Sequence, residues 1–400
     1  MASRTDTTAA TDDPVESVAT TLSSASFVRL LAGADGDGLA AAGLLARALR
    51  RVDVPFQVRV DALGAGAPSS DDGVLVGVGS VYANADVTVA PETRPASLRA
   101  SRIATEVGGT DRPADPVLAL AGVVADGAHP ASVAGELVAA AEEAGAAVRR
   151  PGVAIPVDDA VDGLTHSTLL HAPFSGDHDA TAAAVSSLSL PDSGEDPETD
   201  AETRRSLASR VALAVAGDDD ATPRAADAVE RVLRPYATPE APIATLGGFA
   251  DVLTATARER PGTGVALALG HGGRDAALDV WREHGRAVHS ALDSASTTRH
   301  DGVFVVRAED ADAGTPGRLA TLARLARDFW SPEPLVVAVG DGVAAISARE
   351  SGAADAAATL AAEFPAPEAG WTGGPTRALA GIDPDTPVSE IVAVIRGRST

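Results

Sequence analysis

Asp35 and Asp37 stand one residue apart within residues 27–51, FVRLLAGADGDGLAAAGLLARALRR. Carboxylates at that spacing in a turn can converge on one hard cation, of which Mg2+, Mn2+ and Ca2+ prefer oxygen ligands. The elements that must position them can be read on either side. Residues 27–32 form an apolar run short enough for a buried strand, and an Ala/Leu segment with helical spacing follows the turn. Gly36 and Gly38 are expected to let the backbone take conformations that other residues resist. A strand that ends in an acidic, Gly-rich turn and opens a helix presents its side chains at the carboxyl edge of a sheet, where open α/β sheets bind ligands. Two other readings of the same residues stay open. GDGLAA loosely matches the dinucleotide fingerprint G-x-G-x-x-A, with Asp61 as the ribose ligand, although two carboxylates would repel a pyrophosphate. The stretch can also be a plain Gly/Asp turn that carries no ligand.

Composition narrows the field. The chain has 400 residues, of which 45% are hydrophobic, enough for two domains with substantial cores. Its net charge is −24, and all 32 basic residues are Arg. An acid excess without lysine suits concentrated salt, because at ~1 M the Debye length falls to roughly 3 Å and self-repulsion is screened. The absence of Cys excludes disulfides, zinc–thiolate sites and a Cys nucleophile. No apolar run is long enough to span a bilayer, and the polar, acidic beginning lacks the core of a signal peptide. A cytoplasmic location away from the membrane is the simplest expectation.

Along the chain, residues 1–25 read as a disordered acidic tail. Residues 54–60, 74–78 and, more weakly, 86–90 read as further strands, and strands alternating with helices imply a mostly parallel sheet. An apolar segment ends at Asp126, and residues 131–148 are strongly helical. Residues 187–203, rich in Ser, Asp, Pro and Glu, read as a linker. After helices near 201–216, 223–233 and 249–260, a second alternating region begins at Gly264 with VALAL as a strand. A helix follows over 274–294, then VFVV, a helix over 317–329, and a hairpin turning at Gly340-Asp341-Gly342. The last helix is expected to be capped by Thr386 with Pro387 at its first position. The fold class is thus α/β in two domains, 26–186 with a mostly parallel sheet and 204–400 with a helical connector and a second α/β domain.

Four segments, in order, carry a family resemblance. GADGDGLAA resembles the first motif, H-x-D-x-D-G, of the DHH phosphoesterase superfamily, which includes RecJ-like single-strand exonucleases. LALAGVVADG, ending at Asp126, resembles the family's A-G-x-x-G-D segment. DGLTHSTLLHAPFSGD resembles the stretch after the catalytic domain of archaeal RecJ-like proteins, and GGPTRALAG (373–381) resembles the G-G-G-H-x-x-A-A-G signature of the DHH-associated C-terminal domain. The resemblance implies Asp35, Asp37 and Asp126 as metal ligands and Gly373, Gly374 and Thr376 as substrate contacts. It also implies single-stranded nucleic acid as a ligand, and a place beside the MCM helicase and the GINS complex.

The sequence departs from that pattern where catalysis needs it most. Gly33 replaces the first-motif His, Gly77 replaces the second-motif Asp, and VTVAPETRP replaces the Asp-His-His itself. In the C-terminal signature Pro375 and Thr376 replace Gly and His. Two-metal hydrolysis holds its cations ~3.5–4 Å apart with bridging carboxylates and imidazoles. The remaining carboxylates could bind one Mn2+ or Mg2+ with waters. The expectation is therefore a non-catalytic or weakly active member serving DNA replication or repair, the alternative being an Mn-dependent exonuclease or phosphoesterase with altered ligands. No replacement ligands are evident. His166 and His171, like His284 and His289, are five apart and read as core or surface residues, and His271 is a loop residue that could face a cleft. The clusters Arg47/Arg50/Arg51 and Arg204/Arg205/Arg210 read as solvated helix faces ahead of phosphate grooves. Trp371, beside the Gly-rich loop, is the best stacking candidate.

Overall fold

The computed structural model describes residues 14–63, 73–80, 82, 84–89, 95–109, 111, 113–188, 197–218, 221–308, 314–340, 342–366 and 370–397. The first half is a parallel sheet wrapped by helices. It comprises α1 (Val15–Ser24), β1 (Val28–Gly33), α2 (Gly36–Arg51), β2 (Phe56–Asp61), β3 (Val74–Val78), β4 (Val87–Val89), α3 (Ala96–Gly108), α4 (Pro116–Ala125), α5 (Pro130–Val133) and α6 (Gly135–Glu143). The strands lie in the order β2-β1-β3-β4, every neighbour parallel. β1 is central and feeds α2 through a two-residue turn. Asp35 caps that helix by accepting from Gly38 N at 2.7 Å, and acid at its start with Arg50 and Arg51 at its end complements the helix dipole.

A connecting region follows: β5 (Val148–Arg149), α7 (Ala160–His166), α8 (His178–Val185), α9 (Pro197–Ala216), α10 (Pro223–Glu230), β6 (Tyr236–Ala237), α11 (Leu246–Glu259), α12 (Pro261–Ala268) and α13 (Arg274–Ser294). The C-terminal unit holds β7 (Ser296–His300), β8 (Val303–Arg307), α14 (Pro316–Leu325), a π-helical turn (Ala326–Trp330), β9 (Leu335–Gly340) and β10 (Val343–Ala348). It ends with α15 (Ala353–Glu363), β11 (Trp371–Gly373), β12 (Arg377–Gly381) and α16 (Val388–Arg396). Its sheet runs β11-β12-β10-β9-β8-β7, antiparallel except for β8 beside β9. The α/β class and the two-sheet organisation are as the pattern implied. The expected hairpin is present, with Gly340 opposite Val343, and its Asp341 lies outside the described residues.

Several local expectations are corrected. Residues 15–24 of the supposed tail are helical, because Val18, Ala19 and Leu22 form an apolar stripe buried against α3. Within the 187–203 linker, residues 187–188 follow α8, residues 189–196 lie outside the description, and Pro197 onward is the opening of α9. VALAL is not a strand. It lies in α12, which Pro261 opens. The last helix begins at Val388 with Pro387, not Thr386, at its N-cap. α11, α12 and the first half of α13 share one core with α2 and α4, through Leu246, Phe249, Leu253 and Trp281, so the helical connector folds back onto the first half. α2 is surrounded on every side, and its alanines and glycines let the neighbouring helices approach closely.

Candidate functional site

The three carboxylates of the sequence reading are brought together at the carboxyl edge of the parallel sheet, and each is then committed elsewhere. Asp35 spends one oxygen on the cap of its own helix. Asp37, in the first turn of α2, is buried and points sideways into the start of α3, where it accepts from Ala96 N at 2.7 Å and Ser97 N at 2.9 Å. The N-cap residue of α3, Pro95, makes no side-chain bond, so Asp37 supplies from another helix the acceptor that the α3 terminus needs. Burial, then the charges of Asp126 and Asp35, push the Asp37 carboxyl up to about 7.

Asp126 stands at the C-cap of α4. Its partner is Arg377, at the start of β12 in the other half of the molecule. The guanidinium lies 2.8 Å from Asp126 Oδ1 and also donates to the carbonyls of Ala125, at 2.9 Å, and of Asp126. A cation is well placed there, since the last carbonyls of a helix carry its partial negative charge. Burial raises the Asp126 pKa, Arg377 opposes that rise, and Asp35 adds to it. Arg258, on α11, donates to Thr321 Oγ1 and lines a small cavity of about 60 Å³ together with Asp35, Ser80, Thr372, Gly373 and Arg377. Burial, then repulsion from Arg324, lowers its pKa to about 9, with Asp35 opposing.

Glycines matter here for close approach, not for unusual backbone angles. Neither Gly36 nor Gly38 has a positive φ. A Cβ on Gly36 would lie 2.6 Å from Thr254 Oγ1 and 2.8 Å from Ala125 Cβ, so the start of α2 is wedged between α4 and α11. The positions that depart from the family pattern are closed in a similar way. A Cβ on Gly33 would stand 3.0 Å from Ser80 Oγ, and one on Gly77 would stand 2.9 Å from the Tyr82 ring. A side chain at either position would press against Ser80 or Tyr82. The segment replacing Asp-His-His lies, from Ala90 to Arg94, outside the described residues.

These residues do not fit a pair of divalent cations. Asp37 serves α3 and Asp126 is ion-paired. Among the described residues no group of three or more His, Asp or Glu side chains is placed to hold a metal ion. The Gly-rich loop is likewise occupied with its own turn. Gly373 ends β11 with φ +133°, Gly374 N donates to Arg377 O at 2.8 Å, and the Thr376 carbonyl accepts from Ala348 N at 2.8 Å.

The residues missed in the sequence are the arginines. A cavity of about 360 Å³ between the two halves is bounded by Asp126 and Thr376 and lined by Arg224, Arg231, Arg324, Arg327, Arg349 and Arg377. Asp227, Asp251 and Asp328 also line it. Arg224 and Asp227 of α10 and Arg231 at its C-cap follow one helical face, and the π-helical turn brings Arg327 and Asp328 to the cavity wall. Burial lowers the pKa of Arg324 to about 10 and also lowers that of Arg327; Asp328 opposes both effects. The only warning in the sequence was Arg377 itself, next to Thr376 in GGPTRALAG. The other candidates lie elsewhere. His271 sits at the outer end of α2 beside Arg50, and Arg47 is bonded to Asp115 and to the Ala268 carbonyl.

A family described as "Uncharacterized protein rrnAC1427, C-terminal domain" matches residues 295–397, from the residue before β7 to the one after α16. The full-length protein of that name from Haloarcula marismortui is 45% identical over 365 residues, which cover 90% of this chain and 91% of that one. Among solved structures, CDC45 from Entamoeba histolytica matches with a TM-score of 0.57 at 9% identity, over 96% of this chain and 99% of that chain, and so shares the fold. RecJ from Thermus thermophilus, solved in complex with Mn2+, matches 96% of this chain at 13% identity with a TM-score of 0.46. The chain spans about half of that protein's length, 54%.

Proposed function

We propose a function from kinship and from the carboxylate cluster: the chain belongs to the rrnAC1427 family, and its fold is that of the RecJ-like DHH superfamily. On that footing it is a non-catalytic or feebly catalytic relative of the exonucleases, working with nucleic acid and the replication machinery in DNA replication or repair. The observation that carries this reading is the guanidinium of Arg377 bonded to Asp126, where the resemblance calls for a metal. A single Mn2+ or Mg2+ at Asp35 and Asp126 would have to compete with that guanidinium. Thr376 borders the arginine-lined cavity and Gly373 the small cavity beside Asp35, and with Gly374 they would meet a single strand only through its backbone. The protein partners this reading implies are GINS and MCM.

The test combines metal binding with digestion. Mn2+ titration followed by calorimetry is expected to find no pair of tight sites. End-labelled single-stranded DNA and RNA are expected to survive incubation with Mn2+ or Mg2+, equally with wild type and with an Asp35→Ala/Asp37→Ala variant. Robust digestion by wild type that vanishes in the variant would restore the exonuclease.

The acid excess supports a protein that folds in concentrated salt. Among the described residues no helix is long and apolar enough to cross a membrane. Unfolding is expected to need more denaturant in ~2 M than in ~0.1 M KCl, because screening removes self-repulsion from the compact state. Equal midpoints at both concentrations would count against this reading.

A further inference from the structure

A second arginine-lined depression, sharing no lining residue with the first, lies where α9 meets β5 and the chain entering β6. It encloses about 600 Å³, and its charged residues are Arg149, Arg150, Arg205 and Arg234. Among the described residues no Asp or Glu lines it, in a chain with 56 acidic residues against 32 basic ones. Its floor is apolar, formed mainly by Ala208 and Ala212 of α9 with Leu233 opposite. Arg205, Ala208 and Ala212 follow helical spacing on one face of α9. Next to Ala212 stands Leu213, 71% exposed.

The four guanidiniums are unevenly satisfied. Arg149 donates to Tyr236 Oη at 2.9 Å and lies over that ring. Arg150 is half-buried, and its Nε has no hydrogen-bond partner. Burial, then the nearby Arg204, lowers its pKa; Asp158 and Asp200 oppose that, and neither lines the groove. Arg205 and Arg234 are exposed and have no side-chain partner among the described residues, whereas their neighbours Arg204 and Arg210 are bonded to Asp200 and to the Ala184 carbonyl. Arg234 holds its rim position through a left-handed backbone, φ +52°, with its N–H bonded to Gly152 O at 3.1 Å.

We propose that this groove is a docking site for an acidic peptide segment of a partner protein, one that carries spaced apolar side chains. Arginine forks bind carboxylates in two-point fashion, and the apolar strip between them accepts aliphatic side chains whose contact does not weaken with salt. A nucleic-acid strand fits the groove less well, since among the described residues no aromatic side chain lines it to stack a base. The site is independent of the carboxylate cluster and of any residual catalysis there.

The probe is a fluorescein-labelled peptide of about 12 residues repeating leucine, aspartate and glutamate, followed by anisotropy in ~0.5 M KCl. An oligothymidylate of similar length serves as the comparison. Wild type is expected to bind the peptide, and Arg205→Glu/Arg234→Glu is expected to weaken binding by about tenfold or more. Ala212→Trp fills the floor without altering charge, and it should weaken binding too. All three proteins should unfold at similar temperatures, since Arg205 and Arg234 are exposed and Ala212 faces the open groove. Peptide binding unchanged by both variants, binding of the oligothymidylate alone, or no peptide binding up to about 1 mM would each overturn the proposal.

Discussion

Replacing Asp251 by Ala is expected to cost about 3–5 kcal/mol of stability, a large part of what a protein of this kind has. Asp251 is buried on α11 and gathers four donors from two other elements. It accepts from Trp281 Nε1 at 2.8 Å, Thr168 N at 3.0 Å, Thr168 Oγ1 at 2.5 Å and Ser167 Oγ at 3.3 Å. Alanine would leave a buried indole N–H, a buried amide and two hydroxyls without their acceptor. It would also free the residues after α7 from α11, and Leu169 of that segment lines the arginine-lined cavity. Asp251→Asn keeps one carbonyl oxygen for the Trp281 and Thr168 N–H groups and turns its amide to the Thr168 hydroxyl, so about 1–2 kcal/mol is expected. Urea unfolding of the three proteins checks this. An alanine variant within about 1 kcal/mol of wild type would show that water readily replaces the carboxylate.

A second large effect is expected from acid. His171 and His289 are buried and stacked, with centroids 5.4 Å apart and Nδ1 atoms 3.2 Å apart, and His289 Nε2 is 3.0 Å from the Ser167 carbonyl. Burial lowers the His171 pKa to about 4, with Asp218 opposing. Burial, then His171 itself, lowers the His289 pKa to about 3. The unfolded chain takes up these protons near pH 6.5 and the folded one does not. Stability from the neutral pair is therefore complete above about 6.5 and falls as pH drops toward 4, by an amount on the order of 5 kcal/mol. Protonation of the surface carboxylates acts in the opposite sense, by relieving self-repulsion, so the informative quantity is a difference between proteins. A His171→Phe/His289→Leu variant should lose less stability than wild type between pH 7 and pH 4.5. Parallel curves for the two would show that these rings are not the groups that titrate.

The histidines also show what was legible in the sequence and what was not. Their spacing along the chain, five residues within each pair, excluded ligand pairs on one helix face. The pairing that exists joins His171 to His289 across 118 positions. β1, β3, α13 and the β9–β10 hairpin announce themselves through local periodicity and turn chemistry, which depend on neighbours in the chain. α12 was misread because a short apolar run suits a strand as well as a buried helix, and its Pro261 is the feature that decides. α1 was hidden because Val15, Val18 and Leu22 are diluted by polar residues, although their spacing is helical. At the candidate site the motif positions were legible, including the places where they fail. The partners that now occupy those carboxylates were not, because Arg377 meets Asp126 from 251 positions away and Asp37 caps a helix 59 positions on.

The bond between Arg377 and Asp126 has a consequence for how the two halves stay together. A divalent ion bridging such a cleft would come and go with its supply, and the closed form would be stable only in proportion to the free ion. Here the positive charge is part of the chain. Its local concentration is set by the tether, on the order of millimolar or higher, whatever the surroundings contain. This link is therefore indifferent to chelators, metal starvation and exchange for a competing ion, and its hold on the two sheets does not vary with metal supply.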